Sequence, residues 1–176
     1  MDTTIILIGL AKLSFGVFVG VVGITTAARL IKRFAGLPDV DTAIHEGNIA
    51  VGISLAGAIF AMGLMVQNAV QNTFSALDLL RYSANTWVDV TWVFAYAIGL
   101  ILAALVVGAG VIIVGVRASV RLTPNIDEIE EIRNGNIACA IVMAVVLGVM
   151  GLLAREGLDT LLTGLLPLPP LGQTLD

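Results

Sequence analysis

The sequence predicts an all-α membrane protein: four transmembrane helices forming two tandem helical hairpins of the same orientation. Three observations predict it. The 176 residues are 58% hydrophobic and only 12% charged, with mean hydropathy +1.01; soluble domains run about 45–50% apolar and about 25% charged. Four stretches nearly lack charge: Ile5–Ala28, Ile49–Val66, Val90–Val116 and Ile137–Ala154. At about 1.5 Å per residue each can cross a hydrocarbon core about 30 Å thick. Finally, the sequence matches itself at an offset of 88 residues.

The first span contains Lys12 and is followed by Arg29, Lys32 and Arg33. It starts Met-Asp-Thr-Thr, with an acid where a secretory leader carries bases, so it reads as a span entering from outside and not as a cleaved signal. The second span opens with "HEGNIAVGISLAG" at 45–57. The third begins among Trp87, Trp92 and Tyr96, with Tyr82 just before them, as an interfacial aromatic belt does. The fourth opens with "RNGNIACAIVMAV" at 133–145. Six of the nine Lys/Arg (Arg29, Lys32, Arg33, Arg117, Arg121 and Arg133) follow the first and third spans, while the other side holds Arg81 and Arg155. The positive-inside rule makes the first set cytoplasmic and puts both termini outside.

The internal match is densest where Glu46–Leu64 meets Asn134–Leu152, with nine of nineteen positions identical. Arg29 falls on Arg117, Arg33 on Arg121, Val19 on Val107 and Gly20 on Gly108. Between the basic cluster and Gly-Asn the register reads as looser, since aligning Pro38-Asp39 with Pro124-Asn125 needs a two-residue adjustment. One membrane domain, 1–176, thus holds a unit at about 1–88 and a second at about 89–176. Two crossings per unit give a parallel repeat about a pseudo-twofold axis along the membrane normal. After the second and fourth spans, segments 74–82 and 158–166 read as amphipathic outer tails.

Each second helix is expected to start in the cytoplasm, about two turns before the membrane. Asp39 and Asn125 serve as N-caps, and Glu128 reaches back in a capping box. Ile126, Ile129 and Ile132 form a stripe for headgroups or a neighbour. Gly47-Asn48 and Gly135-Asn136 then lie inside a continuing helix at the boundary. From Asn136, helical spacing reaches Ala140, Ala144, Gly148 and Gly151; from Asn48 it reaches Gly52, Ala56, Phe60 and Gly63. Small residues let helices approach in lipid, and an amide bonding across the gap is worth about 0.6–2 kcal/mol. The first and third spans carry weaker versions, Gly16, Gly20 and Gly23, and Ala104 with Gly108. Asn48 and Asn136 have two readings: they fasten helices, or they line a path for an ion or solute.

Other groups have plainer readings. Lys12 is an intramembrane charge, either a counter-ion or substrate ligand or a lysine snorkelling to the interface. His45 and Glu46 read as a polar turn, Glu130, Glu131 and Arg133 as a solvated helix face, and Arg155, Glu156 and Asp159 as the outer end of the fourth helix. Cys139 is the single cysteine, which excludes an intramolecular disulfide, and it reads as a small packing residue. No phosphate loop, dinucleotide fingerprint, zinc spacing, haem motif or Ser/His/Asp set occurs. No catalytic, cofactor-binding or metal-binding residues are expected, and no nucleic-acid partner.

At "EGNIAVGISLAG" and "NGNIACAIVMAVVLG" the chain resembles the YjfL-like bacterial inner-membrane family, a domain of unknown function with two tandem two-helix units, each opening its second helix with Asn-x-Ala. Asn48 with Ala50 and Asn136 with Ala138 carry the match; Val145 departs from it, standing where the first unit has Gly57. The resemblance implies a bacterial plasma membrane and neighbours concerned with envelope stress and membrane remodelling. It carries over no catalytic residue. The sequence therefore leads to a non-enzymatic scaffold or partner subunit in the lipid bilayer, a homo-oligomer or part of a larger complex, serving envelope integrity. The alternative is a small channel or transporter with Asn48 and Asn136 on its path.

Overall fold

A computed structural model describes residues 3–34, 40–80, 87–122 and 126–164. Its elements are α1 (Thr3–Phe34), α2 (Val40–His45), α3 (Ile49–Leu80), α4 (Trp87–Leu122), α5 (Glu128–Arg133) and α6 (Ile137–Gly164). All are helical, and α1, α3, α4 and α6 are long and apolar enough to cross a membrane. None of the five prolines falls within a described helix, so no span loses a backbone hydrogen bond to a missing N–H. Backbone groups are thereby satisfied inside each helix, as lipid requires. Hydroxyls follow the same rule: Ser14, Ser54 and Thr73 donate to the carbonyls of Leu10, Ala50 and Ala69, at 2.9, 3.1 and 2.8 Å.

The helix bounds recur at the offset of the sequence's self-match. α1 and α4 end at 34 and 122, α2 and α5 occupy 40–45 and 128–133, and α3 and α6 start at 49 and 137. The offset is 88 before and after the connecting segments, across which the sequence reading placed a two-residue adjustment. Pro38, Asp39, Pro124 and Asn125, on which it rested, lie outside the described residues, as does the reading of Asp39 and Asn125 as caps. The observed cap of α5 is Asp127, whose carboxylate accepts from the Glu130 N–H at 3.2 Å. The outer tails are also corrected: 74–80 continues α3 and 158–164 continues α6, while Tyr82, Leu165 and Leu166 lie outside the described residues.

α3 is the centre of the bundle. It packs against α6 most extensively, then α4 and α1, and α4 also touches α6 and α1. Half of its membrane window is buried inside the protein, against 22–28% for the other spans. The main core gathers Ile31 from α1, Met62 from α3, Ile112 from α4, and Met143 and Leu147 from α6. A second cluster toward the other end joins Met65, Leu100, Leu158 and Leu162. Outward residues such as Leu13, Phe18, Val106 and Leu153 are 65–71% exposed and form the apolar surface that meets lipid. α5 lies on the bundle, because Ile132 is fully buried and Ile129 packs on the core, while Ile126 stays exposed.

The α3–α6 contact is backbone-close. A Cβ placed on Gly57 would lie 2.6 Å from the Ala144 Cα, and one on Gly151 would lie 3.1 Å from the Ala61 Cα. A twofold axis alone would put equivalent residues opposite one another. Phe60 and Gly148 meet that condition, with ring carbons 3.7 Å from a Cβ built on Gly148. Gly57 and Ala61 do not; their 88-offset equivalents are Val145 and Val149, yet they face Ala144 and Gly151.

Candidate functional site

The two Gly-Asn pairs break the helix. Gly47 has φ +81° and Gly135 has φ +90°, a left-handed conformation that costs a residue with a Cβ about 1–2 kcal/mol. Their role is conformational and not close packing, since a Cβ at either would meet nothing within 4 Å. Gly47 donates to the Ile44 carbonyl at 3.0 Å and Asn48 to the Ala43 carbonyl at 2.8 Å; Gly135 and Asn136 repeat this on Ile132 and Glu131 at the same distances. These paired bonds form the Schellman end of α2 and of α5. The expectation of one helix continuing through both sites is thus corrected.

The Asn that follows then starts the next helix. Asn48 Oδ1 accepts from the Val51 N–H at 3.1 Å, and Asn136 Oδ1 accepts from Ala138 at 3.0 Å and Cys139 at 3.4 Å. Each is an N-cap, satisfying amides that would otherwise open into the bilayer edge. The side-chain NH₂ groups go to different places. Asn48 Nδ2 crosses to the second unit, donating to the Arg133 carbonyl at 2.9 Å and the Ile132 carbonyl at 3.4 Å. Asn136 Nδ2 stays in its own unit and donates to Glu131 Oε2 at 2.7 Å. The unit-one equivalent of Glu131 is Ala43, so the first unit has no such acceptor. An ion pair of Lys32 with Asp41 joins α1 to α2, and Arg133 pairs with Glu130 at 3.1 Å within α5.

A second polar set lies at the far end of α3 and α6. Asn68 and Asn72 are only 2% and 6% exposed. Asn68 Nδ2 donates to the Arg155 carbonyl at 2.8 Å, and Arg155 Nε donates to Asn68 Oδ1 at 3.3 Å. One turn on, Asn72 Nδ2 donates to Asp159 Oδ1 at 3.0 Å, and the Thr163 hydroxyl donates to Asn72 Oδ1 at 3.5 Å. The Tyr96 hydroxyl donates to the Leu162 carbonyl at 3.5 Å, bringing α4 to the same end. Sequence reasoning passed over Asn68 and Asn72. The available signal was two amides four apart, level with Arg155 and Asp159, also four apart, so that one face of each helix carries a polar pair.

The remaining candidates are dispersed. Ala140 is buried, and Ala144, Gly148 and Gly151 lie against α3. On α3 itself, Gly52 and Gly63 face open space and Ala56 is exposed; this face touches α6 only through Phe60. Lys12 is half-buried, its Nζ 5.0 Å from the Phe74 ring centroid, and Phe74 also stacks edge-on with Phe15 at 5.5 Å. His45 and Glu46 are exposed, Glu128 is buried, and Cys139 is half-buried. The side chains of Trp87 and Trp92 lie outside the described residues. Among the described residues no three His, Cys, Asp or Glu come together as a metal site. The polar groups that do converge, at the Asn caps and at Asn68–Asp159, bond helix to helix.

A family model described as Domain of Unknown Function (DUF350) matches residues 5–103 and residues 91–166. No curated protein and no solved structure matches the chain.

Proposed function

Because the chain belongs to the family described as Domain of Unknown Function (DUF350), a description naming no activity, we propose its role from its geometry: a non-enzymatic, self-associating membrane scaffold or partner subunit. One observation carries this reading. The asparagines at and within the spans fasten helices: Asn48 caps α3 and holds α5, Asn136 caps α6, and Asn68 and Asn72 hold α6. A conducting path needs such groups turned toward water to replace an ion's hydration. The resemblance at "EGNIAVGISLAG" supports a bacterial plasma membrane and a part in envelope integrity. The basic residues behind α1 and α4 support an orientation with that end in the cytoplasm and both termini outside.

The test is access to water. Single cysteines at Gly52, Ala56, Ala140 and Ala144, in a Cys139→Ser chain, are exposed to a membrane-impermeant maleimide in native vesicles. The scaffold predicts four unreactive positions. Labelling that continues along either helix would replace it with the channel reading. Particle mass and co-purifying proteins, after gentle extraction, then tell self-association from membership in a larger complex.

A further inference from the structure

The α3–α6 contact joins two unlike faces. α6 inserts Ala144, Gly148, Gly151 and Arg155, and α3 receives them around Gly57, Ala61, Leu64 and Asn68. The duplication gives each helix the other's face as well. α3 carries its own inserting face at Ala56, Phe60, Gly63 and Gln67; α6 carries its own receiving face at Val145, Val149, Leu152 and Glu156. Both of these second faces are exposed: Phe60 is 55%, Val145 57%, Val149 49% and Leu152 51% exposed, and Ala56, Gly63, Gln67 and Glu156 are exposed too.

We propose that the two bare faces meet in a second copy of the chain, with α3 of one protomer packed in parallel against α6 of the next. This rests on the self-associating reading above and names the surfaces it uses. Three features support it. The repeat equivalents of these faces already meet inside the chain, and the new joint lies on the same two helices beside that interface. The shapes are complementary, because branched Val145 and Val149 stand opposite small Ala56 and Gly63; small residues leave room for a neighbouring helix to approach in lipid. The polar ends are complementary as well. Where Arg155 meets Asn68 within the chain, Gln67 meets Glu156 between chains, and where Asp159 meets Asn72, Gln71 meets Thr160. Gln67 and Gln71 offer amide donors, Glu156 and Thr160 offer oxygen acceptors, and all four are exposed.

The geometry also limits the assembly. Inserting and receiving faces are one residue apart along the helix, a rotation of about 100°. Each core helix therefore meets its two neighbours at an angle between the corners of a square and of a regular hexagon. The contact is head-to-tail and closes as a ring, with four or six core helices, which means two or three chains.

The test mixes separately tagged single-cysteine chains, co-expressed on a Cys139→Ser background. Gln67→Cys with Glu156→Cys probes the polar end, and Gly63→Cys with Val149→Cys probes the apolar joint while keeping the polar residues. Oxidation in native membranes should give disulfide-linked heterodimers for each mixture and no dimer from any variant expressed alone. Disulfides formed by Gly63→Cys alone or Val149→Cys alone would mean that α3 meets α3, or α6 meets α6, between chains and would overturn the proposal. Particles of parental mass, two or more chains, that cross-link in neither mixture would overturn these surfaces and leave self-association standing. Particles of one chain's mass in native-lipid discs would overturn both.

Discussion

Replacing Gly47 or Gly135 by Ala isolates what a left-handed residue contributes to a membrane bundle. A new Cβ at either site meets nothing within 4 Å, so crowding adds no cost and the whole effect comes from φ at +81° or +90°. That conformation costs a residue with a Cβ about 1–2 kcal/mol. Each Gly→Ala should therefore lower unfolding free energy by about 1–2 kcal/mol. The Asn substitution should cost less, because its short polar side chain tolerates this region. Gly99 supplies the opposite control. It also faces open space, but within α4, where Ala is favoured over Gly by about 0.8–1 kcal/mol, so Gly99→Ala should be neutral or stabilising. The assay is reversible unfolding in bicelles, read by steric trapping on α1 and α6. Gly47→Ala and Gly135→Ala behaving like Gly99→Ala would refute the assignment of these glycines to a helix break. So would Ala and Asn costing the same.

Gly57→Ala should lose about 1–3 kcal/mol in the same assay, since its Cβ presses on the Ala144 backbone and forces the helices apart; no loss would mean the pair sits farther apart than described. Asn48→Asp keeps the cap acceptor and removes the N–H that reaches Arg133, so it should cost about 0.6–2 kcal/mol and raise amide exchange at the start of α6 more than at the start of α3. Asn68→Leu leaves the Arg155 Nε without its acceptor and removes the amide bond to the Arg155 carbonyl, and should cost about 1–3 kcal/mol, measured as faster unfolding of the α3–α6 end. Lys12→Met keeps the stem and loses the contact with the Phe74 ring, for a cost of about 0.5–1 kcal/mol by equilibrium unfolding.

The fold was legible in the sequence because four runs nearly free of charge and a self-match at an offset of 88 residues are properties of composition and register. The Gly-Asn joints were only half legible. Their Asn stood out as the polar head of each span, but apolar spacing ran straight through Gly47 and Gly135 and read as unbroken helix. The overlooked sign was local: a basic residue near the end, then Gly, then Asn, as in "HEGN" and "RNGN", is a helix stop followed at once by a helix start. Which small-residue stripe gets covered was not legible at all. Asn48–Gly63 and Asn136–Gly151 have the same spacing, yet the α3 stripe is exposed at Ala56, Phe60 and Gly63 while α6 packs along its own. That difference arises from the order in which the helices sit around α3, and nearly identical sequences cannot encode it locally. Asn68 and Asn72 were not legible because an uncharged amide inside an apolar run leaves no mark on charge pattern or hydropathy period.

The Asn68–Arg155 and Asn72–Asp159 bonds also bear on how the chain is made. Each joins residues 87 apart, one partner in the first unit and one in the second. A ribosome adds about 5–20 residues per second, so the first hairpin waits about 4–17 s in the bilayer before its partner helix arrives. During that interval Asn68 lacks the Arg155 carbonyl, Asn72 keeps the Asn68 carbonyl but lacks the Asp159 carboxylate, and Gly57 has no helix against it. The first unit is thus a biosynthetic intermediate with a sticky seam, and a chain truncated after α4 should associate with other chains or with a membrane chaperone through the seam that α6 later fills.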